Sequence, residues 1–394
     1  MMRLLAGVGA GLDARALRGG PERGFVNGCS GEESYGQGSE SRSRVGRRSR
    51  TSRVPALAPA LALHDALRRN ASTGAPAGVI LRAVILPPAL RPGDVVRVIA
   101  PASPFDPEPF ERGLAVLSRR LGLEPRMRDD VAARWRYLAG DDARRVAEWR
   151  EAVADVEARA IFCARGGYGA MRLLPAIDPA PLLARPKLLL GFSDITALHA
   201  HLNRAGLATV HGPGVTQLSR LPEEALVHLE ALLRGSAPRA GAGLAGRATV
   251  RAGRATGPLL GGSLTLLSHL AGTPYAPRLA GAILLLEDVG EKPYRLDRYL
   301  THLALTGALR ELAGVAIGQL TGCDDANAHG ADVVREAVLA LGVPAIEGVP
   351  CGHEDANFAV PLGARATLVA PGPGESGAPR LVFEEWTEGE RGVA

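Results

Sequence analysis

The residue best placed to do chemistry in this chain is a serine. In Lys187-Leu188-Leu189-Leu190-Gly191-Phe192-Ser193-Asp194-Ile195-Thr196, Ser193 stands where an apolar strand gives way to a helix. That junction lies at the carboxyl edge of a sheet, where open α/β folds bind ligands. A sharp turn there pushes the hydroxyl outward, and the helix start offers amide N–H groups and partial positive charge to a developing oxyanion. This is the logic of a nucleophile elbow, although Ile195 stands where the second glycine of G-x-S-x-G would be. On spacing alone, Ser193 or Asp194 reads first as a helix cap.

A serine nucleophile needs a base, and the base needs an orienter. The chain beyond residue 85 offers His199, His201, His211, His228, His269, His302, His329 and His353. His199 and His201 fall on the helix after Ser193 and are expected to point away from its tip. His302 sits mid-helix among leucines and reads as structural. His353 lies in the loop Val349-Pro350-Cys351-Gly352-His353-Glu354-Asp355-Ala356-Asn357-Phe358, a better setting for catalysis. Glu287 closes the strand Ile283-Leu284-Leu285-Leu286 and is the candidate orienter, with a surface or capping carboxylate as the alternative.

The loop Arg165-Gly166-Gly167-Tyr168-Gly169 lets backbone approach a ligand closely. It lacks both the Lys-Ser/Thr ending of a phosphate loop and the dinucleotide spacing, so nucleotide binding is rejected there. An amide of Gly166 or Gly167 could join that of Asp194 as an oxyanion or carboxylate donor; a tight turn without a ligand is the bland reading. Cys323, Asp324, Asp325, His329, Cys351, His353, Glu354 and Asp355 form a loose pool of possible metal ligands. Neither zinc-finger spacing nor H-E-x-x-H occurs among them, so no metal or other cofactor is expected. Cys163, inside an apolar strand, reads as a small hydrophobe.

These residues need a scaffold, and the chain supplies one. Strands at Val95–Ala100, Ala160–Ala164 and Lys187–Leu190 alternate with helical segments at Pro109–Leu121, Asp141–Val156, Ala170–Leu174 and Ile195–Ala205, which predicts a parallel sheet covered by helices. Strands at Ile283–Leu286, Val315–Gly318 and Ala366–Val369, with helices at Arg295–Leu309 and Ala331–Leu341, predict a second α/β unit. The expected division is a tail at 1–84, an amino-terminal α/β domain at 85–235, a linker with at most one edge strand at 236–256, and a smaller carboxyl-terminal domain at 257–388.

Composition excludes several classes. The 394 residues are 46% hydrophobic and 22% charged, ordinary for a globular chain. The longest apolar runs fall short of the roughly 18–20 residues that span a bilayer, so no membrane partner is expected. Cys29, Cys163, Cys323 and Cys351 are too few and scattered for a disulfide scaffold and fit a reducing compartment. The net charge of +5 resides in residues 1–53, with ten arginines against five acids. Only Lys187 and Lys292 are lysines, so the arginine excess looks like coding bias more than phosphate binding, and no nucleic-acid partner is expected. The Arg/Gly/Ser-rich tail reads as disordered. Its first residues make a poor signal peptide, because Asp13 and Arg15 fall where a cleavage site would be.

Taken together, the segments resemble the LD-carboxypeptidase family over about residues 88–385. Its markers run in order: Pro92-Gly93-Asp94 with Ala100-Pro101-Ala102-Ser103-Pro104; Leu138-Ala139-Gly140-Asp141-Asp142-Ala143-Arg144-Arg145; Ala164-Arg165-Gly166-Gly167-Tyr168-Gly169; Gly191-Phe192-Ser193-Asp194-Ile195-Thr196; His211-Gly212-Pro213; Gly261-Gly262-Ser263-Leu264; Leu286-Glu287-Asp288-Val289-Gly290-Glu291; and Gly352-His353 with Pro361-Leu362-Gly363. The resemblance implies a Ser-Glu-His triad at Ser193, Glu287 and His353, with Glu291 a competing orienter. It also implies an active site between two α/β domains, a homodimer, and cytoplasmic removal of the terminal D-Ala from murein tetrapeptide. Two alternatives stand beside it: a microcin C immunity-type peptidase, which shares the triad, and a non-catalytic receptor for muropeptides.

Overall fold

The computed structural model describes residues 84–235 and 243–384. The tail, and the disorder expected of it, therefore lie outside the described residues, except for Val84. The first sheet begins with five parallel strands: β1 (Val95–Ile99), β2 (Glu124–Arg126), β3 (Ala158–Cys163), β4 (Leu188–Gly191) and β5 (Thr209–His211). Between and after them run α1 (Pro107–Ala115), α2 (Asp142–Ala154), a short α3 (Ala180–Ala184), α4 (Thr196–Ala205) and α5 (Glu223–Leu233). The spatial order β2-β1-β3-β4-β5 is doubly wound, so the loops after β1, β3 and β4 gather at the carboxyl edge beside the switch point. Strands such as Leu188-Leu189-Leu190-Gly191 are buried on both faces, which explains their continuous apolar runs. One face packs Val96, Val98, Phe162 and Leu190, and the other Ile99, Ile161, Leu189 and Leu198.

The second sheet contains β6 (Leu244–Ala245), β7 (Ala248–Arg251), β8 (Gly253–Ser263), β9 (Ile283–Val289), β10 (Gly314–Thr321) and β11 (Ala345–Glu347), with α6 (Leu264–Leu270), α7 (Pro293–Leu305) and α8 (Gly330–Leu341) alongside. After β12 (Val360–Leu362) come β13 (Arg365–Ala370) and β14 (Arg380–Phe383), and the second-sheet order is β6-β14-β13-β8-β9-β10-β11-β7. Two residues separate β6 from β7, yet they end opposite sides of the order, so the sheet curls round on itself. Alternation along β9 sends Leu284 and Leu286 to the helices and Ile283 and Leu285 into the curl. By that parity Glu287 shares the inner side with Cys351 and Val360.

Several expectations change. The presumed linker 236–256 carries β6, β7 and the start of β8. Its Gly/Ala/Arg composition hides this because much of it is held by close backbone contact that glycine permits: a Cβ on Gly243 would collide with the carbonyl oxygen of Leu381. The two units also share chain. β12 leaves the second unit and pairs antiparallel with β5, Val360 opposite His211, so the first sheet is mixed. Glu287 lies within β9 instead of ending it, because the strand runs on to Val289. The segment after the glycine loop is a 3₁₀ turn at Ala170–Ala176 holding Pro175. Strands β2, β5, β11, β12 and β14 and helices α3, α5 and α6 add to the expected elements, most being too short for a periodic signal in the sequence.

Candidate active site

β4 delivers Ser193 as the sequence suggested. Its four residues are buried, Phe192 is still extended at φ −154°, and Ser193 then turns to φ +62°, ψ leading into a 3₁₀ turn and α4. A left-handed serine is a strained conformation that Cβ sterics disfavour. It makes the reversal sharp enough to leave the side chain half-buried at the sheet edge.

Gly166 packs directly on this turn. A Cβ there would lie 2.8 Å from Ser193 Cβ and 3.2 Å from its Oγ, so no side chain fits. Gly167 lies one residue on, against Ser103, and a Cβ there would strike the Ser103 hydroxyl. Ser103 fixes the loop: its amide donates to the Gly166 carbonyl at 3.2 Å, and its Oγ accepts from the Tyr168 amide at 3.0 Å. Arg145 reinforces this from below, donating to the carbonyls of Pro101 at 2.6 Å and Gly169 at 3.0 Å from a fully buried guanidinium. Both residues escaped the sequence reading except as members of a marker, because their role is visible only once β1 and β3 are neighbours.

Asp194 has a further part. Its buried carboxylate accepts from the Ala170 amide at 2.7 Å, tying the Ser193 turn to the end of the glycine loop. Burial pushes its carboxyl up to about 6, partly offset by the bonds from Ala170 and Gly169 and by the charge of Arg145.

His353 comes from the loop after β11, and that loop is tied down. Gln319 accepts from the Glu354 amide at 2.9 Å and donates to the Ala356 carbonyl at 3.0 Å, and Asn357 accepts from the Gly352 amide at 3.2 Å. Nδ1 of His353 lies 2.7 Å from Oε2 of Glu287, whose carboxylate is fully buried. Glu291 instead pairs with Arg295 at 3.4 Å. The His353 ring rests on that of Phe192, with centroids 4.8 Å apart, which brings it beside the Ser193 turn. Among the described residues no hydrogen bond joins Ser193 Oγ to His353; such contacts often tighten only when substrate arrives.

The remaining candidates sit elsewhere. His199 is buried under β4, bonded to Thr209 Oγ1 at 2.9 Å and the Gly191 carbonyl at 2.8 Å, and burial lowers it to about 4. His302 bonds Ser268 at 3.0 Å. Cys163 and Cys351 are buried and their thiols are pushed up by desolvation, so neither is a ready nucleophile. In the suggested metal pool, Asp324 pairs with His329 at 3.2 Å. Among the described residues no three His, Cys, Asp or Glu side chains cluster as metal ligands would, and no helix is long and apolar enough to cross a membrane.

A doubly wound sheet with a serine elbow, facing a Glu–His pair from a second unit, defines a hydrolase-like architecture. Residues 96–212 match the model of the LD-carboxypeptidase N-terminal domain, and residues 256–368 that of the LD-carboxypeptidase C-terminal domain. The chain belongs to the LD-carboxypeptidase family. It is 40% identical over 298 residues to a Streptomyces coelicolor protein named provisionally as a carboxypeptidase, covering 74% of this chain and 95% of that one. It is 37% identical over 286 residues to the murein tetrapeptide carboxypeptidase of Pseudomonas aeruginosa, covering 69% and 92%. The crystal structure of muramoyltetrapeptide carboxypeptidase from Oxalobacter formigenes superposes with a TM-score of 0.66 at 27% identity, covering 74% of this chain and 99% of that one.

Proposed function

We propose that this protein is a serine carboxypeptidase that removes the terminal D-Ala from murein tetrapeptide, with Ser193 as nucleophile, His353 as base and Glu287 as its orienter. The observation that carries this reading is the 2.7 Å bond between a fully buried Glu287 and His353, which fixes the proton on Nδ1 and leaves Nε2 as a lone pair for the serine. The names of the relatives supply the substrate.

In the reaction, Nε2 of His353 takes the Ser193 proton as Oγ attacks the carbonyl of the L-centre. Glu287 stabilises the imidazolium, and the tetrahedral oxyanion is held by amides of the elbow and glycine loop, with Asp194 and Gly167 the candidate donors and Gly166 packed between. The C–N bond then breaks, and the imidazolium returns its proton to the departing D-Ala amine. Water, deprotonated by the same imidazole, cleaves the acyl-serine ester and regenerates Ser193. General-base help contributes roughly 10²–10⁴-fold, and each oxyanion donor roughly 10²–10³-fold. A homodimer in the cytoplasm is part of the same reading, and sedimentation tests the dimer.

Mass spectrometry of murein tetrapeptide after incubation with the full chain tests the proposal: loss of one alanine is expected. Cleavage of a processed microcin with tetrapeptide left intact would replace this reading with the immunity-type one. Binding without turnover of either would favour a receptor.

A further inference from the structure

The His211-Gly212-Pro213 segment is absorbed neither by the triad nor by the glycine loop, yet His211 is the last residue of β5 and lies at the seam of the two units. It is fully buried, and neither ring nitrogen has a hydrogen-bond partner in the protein. The second sheet presses on it: a Cβ on Gly262 would come within 3.3 Å of its Nδ1. Its main chain is pinned opposite Val360 of β12. The rings of Phe192 and His199 each lie 6.1 Å away, centroid to centroid.

A buried oxygen beside it also lacks a partner. Oε2 of Glu287 is bonded to His353, but Oε1 has no hydrogen bond and is fully shielded from water. The two orphans face each other, with Nε2 of His211 3.9 Å from Oε1 of Glu287. That gap is too narrow for a bridging water and about 1 Å longer than an N–H···O bond. A buried carboxylate oxygen left without a donor is costly, and so is a buried imidazole N–H left without an acceptor. Each is the nearest remedy for the other.

We propose that His211 is a positioning residue for the reaction proposed above: its Nε2–H donates to Oε1 of Glu287 as the two units close by about an ångström, locking the carboxylate with Oε2 toward His353. The inference rests on that functional reading for its kinetic consequence, not for its geometry. Burial, with the nearby rings of His199 and His353, holds the His211 imidazole well below its usual range, so it is neutral and carries a single N–H. A cation there would compete with His353 for the carboxylate; a neutral donor holds the carboxylate without taking its charge away from the imidazolium. The arrangement also couples the units, because the donor rides on the first sheet and the acceptor on the second.

Two measurements on the full chain test this. The first needs no substrate: in ¹⁵N-histidine-labelled protein, with the His211 signal assigned by its loss in His211→Phe, His211 should be the neutral Nε2–H tautomer. The Nδ1–H tautomer would aim a lone pair at the carboxylate and overturn the proposal. The second compares His211→Phe, which fills the space without a donor, with His211→Gln, which restores one near the Nε2 position. His211→Phe should lower kcat for D-Ala release about 10- to 100-fold, the factor that one hydrogen bond to a charged group corresponds to, with KM within about twofold. His211→Gln should recover most of that loss. Equal losses in both variants, or none in either, would show that the ring only fills space. Should the wild type release no D-Ala, the functional reading fails by itself, and the tautomer still decides the role of His211.

Discussion

The Glu287 carboxylate and the His353 imidazole are separated by 66 residues of chain and joined by 2.7 Å of space, with the carboxylate shut away from water. Such an acceptor dictates which nitrogen of the ring carries the proton. Glu287→Gln keeps the shape but lets the amide donate toward Nδ1, which moves the proton to Nε2, where it blocks the base. We expect kcat to fall about 10³–10⁴-fold with little change in thermal stability. Steady-state release of D-Ala measures it, and a loss under tenfold would show that another group orients the ring.

Ser193→Ala should abolish turnover by about 10⁴-fold or more, because members of such a unit are not additive. The left-handed backbone makes a second outcome available. Ser193→Gly should be as inactive as Ser193→Ala but more stable than it by about 1 kcal/mol, since only glycine adopts φ +62° freely. Paired urea melts check this, and equal midpoints would mean that the turn carries no strain.

Gly166→Ala inserts a methyl group 2.8 Å from Ser193 Cβ and 3.0 Å from the Phe192 carbonyl oxygen. Something in the nucleophile turn must move. A shift of about an ångström at a reacting centre costs on the order of 10²-fold, so that is the expected fall in kcat, in a protein that still folds. Activity within threefold of wild type would place the loop outside the catalytic geometry.

Asp194 makes stability depend on pH. Its folded-state carboxyl is raised to about 6 from 3.8, so between those values the folded protein holds a proton that the unfolded chain has released. The contribution of this group to stability is therefore greatest below pH 3.8 and falls as pH rises through 6. Asp194→Asn can still accept from the Ala170 amide and has no charge to desolvate. Relative to wild type it should gain up to about 3 kcal/mol between pH 4 and pH 7, as read from urea midpoints. A difference that stays flat across that range would contradict the burial argument.

Removing residues 1–83 should leave kcat and KM within twofold, because both family models fall inside residues 96–368. The cut must spare Ile85, whose amide bonds the Gly206 carbonyl at 2.7 Å and whose carbonyl accepts from Ala208. Loss of folding in the shortened chain would show that the tail is part of the structural unit.

Much of this protein was legible one residue after another. The largely apolar runs at 95–100, 160–164, 187–190 and 283–286 announce strands because burial on both faces favours apolar side chains. The helix at 142–154 begins at Asp141, whose carboxylate caps the Arg144 amide at 2.7 Å, a local signal. The serine at the strand end and the histidine in its loop could be named for the same reason: both are set by the elements that flank them. What the segment 243–256 would do was hidden, since its strands are recruited by partners near residues 347 and 381, and nothing within the segment encodes a remote partner.

Chain-local chemistry thus determined the kinds of element and the residue types available for catalysis, because propensity and periodicity act over a few neighbours. Only the tertiary structure decided that Glu287, not Glu291, meets His353, that Ser103 and Arg145 brace the glycine loop, and that His211 faces the far oxygen of Glu287. Those relationships depend on the direction a side chain takes from a folded backbone and on the water excluded around it, and neither exists until distant segments have packed.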